Sequence, residues 1–345
     1  MNFSLVREHD LTVRKVGHEK ILKTGDSLVN STGVGTLGRT AYFGKKEAPY
    51  TVDSHVTIVR PRANIHPRWL SYGLKNLEPE IEFLGEGSTG QTELSRFRLA
   101  ELPLLLPSYS EQQAIAATLG ALDDKIESNR RQKNILSSCL TGIFKKFSST
   151  DSRSYLSFDN CVKRLPVEHK HSGKTVLESG KFPVYDQSAG GILGFIDSEP
   201  EFVPTTNMPI ALFGDHTCTW RLLDEPADVG PNVIPVVSTG FNGVSTIWLY
   251  FALQGKQKMQ EYRRHWMELK EKEIVWMGES AQAKFLENAI PALARSKSLR
   301  RENRILASLR DTLLPELMSG RIRVAEARDT VQAATDTEFP EVGDV

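Results

Sequence analysis

Several stretches of this chain have residue types that could do chemistry. Asp159, Glu168 and Lys170 offer two carboxylates to hold a divalent metal and an amine to sit beside an attacking water, the set a metal-dependent nuclease needs. Such a trio arises readily by chance when 25% of residues are charged. Ser172-Gly173-Lys174-Thr175 matches the end of a phosphate-binding loop, but position 168, where that loop requires glycine, is Glu168. A serine nucleophile on a strand-to-helix elbow needs glycine on both sides; Ser88 has Glu86 before it and Ser280 has Gln282 after it. Gly33-Val34-Gly35 lacks the third glycine of a dinucleotide loop and reads as a turn. The chain has no Asn-Pro-Pro-Tyr-like segment for base methylation. Cys139, Cys161 and Cys218 are too few and too scattered for a disulfide framework or a zinc site. The expectation is a non-catalytic protein with no cofactor and no metal.

Composition sets the frame for what positions these residues. Apolar residues make up 39% of 345, ordinary for a folded chain with room for two cores. There is no apolar run of membrane-spanning length and no signal-peptide core at the N-terminus, so a cytoplasmic location is expected. Basic and acidic residues balance at 43 each, which does not by itself announce a nucleic-acid binder. The balance is uneven along the chain: Asp329, Asp336, Glu338, Glu341 and Asp344 fall in a C-terminal stretch without Lys or Arg, leaving the body mildly basic. DNA binding would then need basic residues gathered on one face, or partner chains.

The chain repeats itself. EQQAIAATLGALDDKIESNRRQKNILSSCLTGIFKKF in the middle is matched near the end by KFLENAIPALARSKSLRRENRILASLRDTLLPELMSG. Arg130-Arg131, Ile135-Leu136 and Ser138 align at a constant offset with Arg300-Arg301, Ile305-Leu306 and Ser308; upstream the alignment slips by one residue. Both copies have a seven-residue apolar rhythm. The first runs through Ile115, Leu119, Leu122, Ile126, Leu136, Leu140 and Ile143, the second through Leu286, Ile290, Leu293, Leu299, Leu306 and Leu313. A stripe this narrow on helices this polar is a coiled-coil seam. Asn129 and Lys133 interrupt the first stripe, Asn303 and Arg310 the second; polar seam residues cost stability but fix register. Two helices of about 30 residues, roughly 45 Å each, are expected to pack against one another.

Each helix follows a mixed α/β unit. In the first, 27–29, 39–43 and 52–60 are strand candidates and 67–77 a short helix, with Ser110 expected to cap the long helix. In the second, 182–185, 194–196, 210–213 and 233–237 are strand candidates. Residues 247–254 form a helix candidate at the place of 69–77, 261–272 is a further one, and 274–277 a connector.

Taken in order, these segments resemble the specificity subunits of type I restriction–modification systems. The likeness rests on Gly87-Ser88-Thr89-Gly90-Gln91 followed by LPLLLPSYSEQQAIAATLGALDDKIESNRR; on Pro183-Val184-Tyr185-Asp186-Gln187 and Gly190-Gly191-Ile192-Leu193-Gly194; on Ala211 to Thr217 and Val229 to Val233; and on LRRENRILASLRDTLLPELMSGRIRV. The resemblance implies an α+β fold in which two α/β target-recognition domains are separated by two long helices that pair as an antiparallel coiled coil. The expected boundaries are 1–107 and 151–280 for the recognition domains, 108–150 and 281–323 for the helices, and 324–345 for an acidic disordered tail. The first recognition domain lacks a counterpart of the 183–194 segment before Gly25-Asp26-Ser27-Leu28, which looks equivalent to the strand around 211–215, and so reads as N-terminally truncated.

By the same resemblance each domain would read half of a split double-stranded DNA site, and the helices would dock methyltransferase (modification) subunits and the restriction (translocase–nuclease) subunits of a phage-defence complex. The expected DNA contacts are Ser88, Thr89, Gln91, Asp186, Gln187, Asp215, His216 and Thr217 in loops, with Arg39, Arg60, Arg62, Lys163, Arg164 and Lys170 facing phosphates. Two rival readings stand beside this one: a stand-alone coiled-coil DNA-binding regulator, and a metal nuclease built on Asp159, Glu168 and Lys170.

Overall fold

Both repeated segments become long helices, and the units ahead of them fold as small sheets with a short helix. The computed structural model describes residues 6–8, 10, 16–44, 49–87, 92–149, 153–188, 191–205, 208–260 and 264–338. In chain order, β1 (Ser27–Asn30), β2 (Thr40–Tyr42) and β3 (Val56–Val59) precede α1 (Pro67–Asn76), α2 (Glu78–Phe83), α3 (Arg96–Glu101) and α4 (Tyr109–Ser148). Then come β4 (Ser154–Ser157), α5 (Phe158–Cys161), β5 (Val162–Arg164), β6 (Phe182–Tyr185), β7 (Ile192–Ile196), β8 (Ile210–Gly214), β9 (Trp220–Leu223), β10 (Asp228–Val229) and β11 (Val233–Ser238). The chain closes with α6 (Thr246–Leu253), α7 (Trp266–Lys270), β12 (Glu273–Trp276), α8 (Glu279–Ser319) and α9 (Val324–Glu338). It divides into two compact units, 1–128 with 302–345, and 129–301. No helix among the described residues is long and apolar enough to cross a membrane.

In the first unit an antiparallel sheet of order β2-β1-β3 has β1 at its centre. Val29 is fully buried on β1, packed with Leu37, Leu74 and Ile81. His66 starts α1, its Nδ1 accepting from the Trp69 N–H at 3.4 Å, while Pro67 supplies a preset φ at the first helical position. The buried Trp69 and Tyr72 of α1 join Ile115, Leu119, Leu122 and Ile126 of α4 and Leu306, Leu313 and Leu317 of α8 in one apolar cluster. Polar contacts fix the antiparallel register of the helix pair: Lys125 meets Glu302 at 3.1 Å, and Arg310 donates to Asp123 at 2.8 Å. The Arg310 interruption of the stripe is thus an ion pair across it. Arg68 of α1 grips Asp124 bidentately at 2.7 and 3.0 Å and holds that carboxyl below the usual range. Gly120 makes room for it: a Cβ there would lie 2.8 Å from the Arg68 guanidinium.

In the second unit the antiparallel sheet has order β5-β11-β8-β9, beside a β10-β6-β7 sheet whose β10–β6 pair is parallel. A third ladder joins β4 to β12. The helix pair meets α6 through aromatic rings: Phe144 lies 5.3 Å from Phe285, 4.9 Å from Trp248 and 5.8 Å from Phe251. Leu140 and Ala289 are buried with them, while Leu136, Ile143, Leu286, Ile290 and Leu293 are half-buried. The seam is looser here because α6 and β9 share it. A cavity of about 420 Å³ opens between Leu136, Leu293, Tyr185 and Tyr250.

The two units share a plan. The order β2-β1-β3 repeats as β9-β8-β11, and a short buried helix, α1 or α6, follows the third strand in each. The registers equate Ser27 with Ala211 and Asn30 with Gly214. One position further on, Ser31 donates its N–H to His55 O at 2.7 Å, and Asp215 donates to Asn232 O at 2.8 Å. The sheet β10-β6-β7 has no counterpart among the described residues of the first unit.

Three sequence expectations need correction. Ser108, not Ser110, caps α4: the helix starts at Tyr109, and the Ser108 hydroxyl accepts the Glu111 N–H at 3.3 Å. Residues 274–277 are not a plain connector, since Ile274, Val275 and Trp276 lie in β12 and pair with β4. The stretch from 324 is not wholly a disordered tail: α9 follows, with Ala327 fully buried in the apolar cluster around Leu313 and Leu317. Its few apolar residues sit one turn apart, so an acidic composition still supplies a packing face.

Burial should carry the stability of the helix pair and ion pairing its register. Leu119→Ala, which empties a fully buried site, is expected to cost about 2–5 kcal/mol in urea unfolding. Arg310→Ala, at a half-exposed ion pair, should cost about 1 kcal/mol or less. Equal losses for the two variants would mean that charge, rather than burial, holds the helices together.

Candidate nucleic-acid interface

The loop leaving β8 and the loop leaving β6 are knotted together by their own polar groups. The Gln187 carboxamide oxygen accepts the His216 N–H at 3.0 Å, and the Gln187 backbone carbonyl accepts from the Thr217 hydroxyl at 2.9 Å. The Thr219 hydroxyl lies 2.8 Å from that of Thr217. Close approach requires Gly214, where a Cβ would fall 2.5 Å from the Thr217 hydroxyl and 2.9 Å from the Gln187 Cβ. The β8–β9 hairpin then turns through Cys218, a non-glycine residue at φ 53°. Asp186 folds its own loop, its carboxylate accepting the Ser188 N–H at 2.9 Å and hydroxyl at 2.6 Å.

Asp215 points inward. Its carboxylate Oδ1 accepts the N–H groups of His265 and Trp266 at 2.9 and 2.8 Å, pinning the start of α7 to the end of β8. With Asp186, Asp215 and Thr217 engaged within the protein, the side chain that this cluster leaves open is the half-buried His216 imidazole. His216 is held by its backbone N–H, and no hydrogen bond to its ring is found among the described residues.

Cations lie on the edge strand of the same unit. Lys163 and Arg164 are exposed on β5, Arg164 stacking 5.9 Å from the Trp266 ring. Lys170 is exposed between His169 and His171. In the first unit Arg39 and Arg62 are exposed, but Arg60 is committed: it donates to Asp26 at 2.8 and 2.7 Å and to Ile21 O at 3.0 Å. The hydrogen bond to Asp26 raises the Arg60 pKa further. Ser88, Thr89 and Gln91 lie outside the described residues.

The chain as a whole is similar to known proteins. Residues 14–137 match the family described as the type I restriction modification DNA specificity domain. The specificity subunit of the type I restriction enzyme MjaIX from Methanocaldococcus jannaschii is 23% identical over 328 residues, spanning 83% of this chain and 76% of the relative. This chain resembles type I restriction–modification specificity subunits. A second relative from that organism, the putative MjaX specificity subunit, is 23% identical over 233 residues, 61% of this chain and 54% of its own length. The crystal structure of the type I S subunit from M. genitalium superposes with a TM-score of 0.52 at 19% identity, covering 87% of this chain and 84% of that one. The fold is therefore that of a type I specificity subunit: mixed sheet units with two long helices that pack together.

Within that fold the nuclease trio has other partners: Asp159 faces Lys270 at 3.6 Å, and the backbone N–H of Glu168 is bound to Glu201. Sequence reasoning also passed over Thr219, Arg221 and Arg300. Arg221 stacks 4.6 Å from the Tyr185 ring and donates to Gly191 O at 2.9 Å. Arg300 pairs with Asp224 and donates to the Tyr185 hydroxyl at 3.2 Å. For Arg300 the signal was present, as one half of the repeated Arg-Arg pair; for Arg221 and Thr219 only the folded hairpin supplies it.

The geometry separates scaffold from free surface. Asp215→Ala leaves the Trp266 N–H without its acceptor and the His265 N–H with the Asp215 backbone carbonyl alone, and should lower the urea midpoint of the second unit, at a cost of about 1–3 kcal/mol. His216→Ala should stay within about 0.5 kcal/mol of the parent. Tryptophan fluorescence reads this unit well, since four of the five tryptophans (Trp220, Trp248, Trp266 and Trp276) lie in it. A His216→Ala loss as large as that of Asp215→Ala would place the imidazole in the scaffold instead.

Proposed function

We propose that this chain is the DNA-reading, non-catalytic subunit of a type I restriction–modification assembly, with 1–107 and 151–280 as its recognition domains and 108–150 with 281–323 as its helical platform. The observation that carries the reading is the duplicated plan: a sheet centred on β1 or β8, then a buried short helix, ahead of each long helix. Two like readers in one chain suit a DNA site in two parts. In the second domain the knotted loops around Gln187 and Thr217 hold the His216 backbone and leave its imidazole open. A loop held by its own hydrogen bonds loses little entropy on meeting a base edge.

Lys163, Arg164 and Lys170 provide phosphate contacts that position without specifying. Asp186, Gln187, Asp215 and Thr217 act mainly by shaping the loops, and Arg60 by holding β3 to Asp26. The helical platform docks the methyltransferase subunits, and the restriction subunits join that complex. The MjaIX relative, named as a specificity subunit of a type I restriction enzyme, supports this assignment of partners.

The test is duplex binding by the chain co-purified with its methyltransferase partner, measured by fluorescence anisotropy across a salt series. Lys163→Ala with Arg164→Ala should weaken binding to all sequences alike and lower the slope of log K against log salt by roughly 1–2. His216→Ala should narrow the gap between target and random duplex instead. An unchanged slope in the double variant would remove β5 from the interface, and strong sequence-specific binding by the isolated chain would favour a stand-alone regulator.

A further inference from the structure

A second group of side chains converges away from the loops just described. We propose that His169, Glu201 and Asp228 form a binding site for a first-row divalent transition metal. The inference does not depend on the DNA-reading role. The three residues come from separate connections: His169 from the segment between β5 and β6, Glu201 from that between β7 and β8, and Asp228 from the start of β10. One ligand atom from each lies within 4.8 Å of the others.

Backbone groups hold the carboxylates in place. The Glu201 carboxylate accepts the N–H groups of Glu168 and His169 at 2.9 and 3.0 Å, and the Glu201 N–H donates to Asp228 Oδ1 at 2.6 Å. His169 Nδ1 stands 3.6 Å from Asp228 Oδ2, and His171 Nε2 hydrogen-bonds that same oxygen at 2.7 Å.

Electrostatics then asks for a cation. Asp228 is buried, 1% exposed, and the carboxylate of Glu201 sits beside it. Among the described residues neither carboxylate has a Lys or Arg within 4.0 Å. A buried and a half-buried carboxylate side by side repel one another, and a divalent ion relieves both.

The donor set selects the ion. An imidazole nitrogen with two carboxylate oxygens suits zinc-like metals, whereas magnesium and calcium prefer all-oxygen shells. Metal–ligand bonds of about 2.0–2.1 Å at tetrahedral angles put donor atoms roughly 3.3 Å apart, close to the His169–Asp228 separation. His171 is the orienting partner, fixing the Asp228 carboxylate through its hydrogen bond to Oδ2. The bound ion would tie three connections of the second unit together at one point.

The test uses the full chain, stripped with a chelator and titrated with Zn²⁺ by calorimetry in a Cys139→Ser background that removes the exposed thiol. One equivalent should bind, and the same titration with Mg²⁺ should show no heat. Because the His169 side chain is 57% exposed, His169→Ala should leave the metal-free urea midpoint unchanged. It should weaken Zn²⁺ at least 100-fold, and His171→Ala about 10-fold. Co²⁺ in the site should show visible bands without thiolate charge transfer. Absence of saturable Zn²⁺ binding, full affinity in His169→Ala, or a thiolate signature with Co²⁺ would each overturn the proposal.

Discussion

The structure depends on burying two narrow apolar stripes against each other. Alone in water, α4 and α8 would each leave a narrow apolar stripe exposed between polar faces. Antiparallel pairing solves this, and each unit then completes the burial with a short helix of its own. In the first unit α1 brings Trp69 and Tyr72 to the stripe; in the second, α6 brings Trp248 and Phe251. A sheet domain is thereby attached to each stretch of the helix pair by core packing rather than by a flexible linker. An interface of that kind resists rotation, since moving it would expose aromatic surface to water.

The same economy governs charge. Many of the chain's cations answer carboxylates within the protein: Arg60 with Asp26, Arg68 with Asp124, Arg300 with Asp224, Arg310 with Asp123. These pairs set register and docking angle more than they add stability. Others stay exposed, among them Lys163, Arg164 and Lys170 in one unit and Arg39 and Arg62 in the other.

The loop cluster shows how polar side chains build a surface without touching a ligand. Gln187, Thr217 and Thr219 spend their hydrogen bonds on one another, and Asp215 on the turn into α7. A loop fixed in this way loses little freedom on binding, which sharpens discrimination between close partners. Short polar residues at a loop tip can thus be committed to shaping the loop itself.

The sequence by itself determined the two long repeated helices and the order of the units, because periodicity and internal repetition are properties of the chain that survive any tertiary detail. The antiparallel sense of the pair was implied only by the family resemblance. It located the strands at 182–185, 210–213 and 233–237 to within a residue or two, because short β-branched and aromatic runs bounded by glycine and proline have few alternatives. It missed β4, β5, β9 and β10, whose residues are polar or few and are held by partners elsewhere in the chain. It read 324 onward as a tail because composition does not reveal that Ala327 has a pocket to fill. Tertiary structure alone decided that Arg60 and Asp215 face inward, that His216 is the open side chain of its loop, and that His169, Glu201 and Asp228 meet. Each of these depends on which distant residue lies opposite, and spacing along the chain carries no information about that.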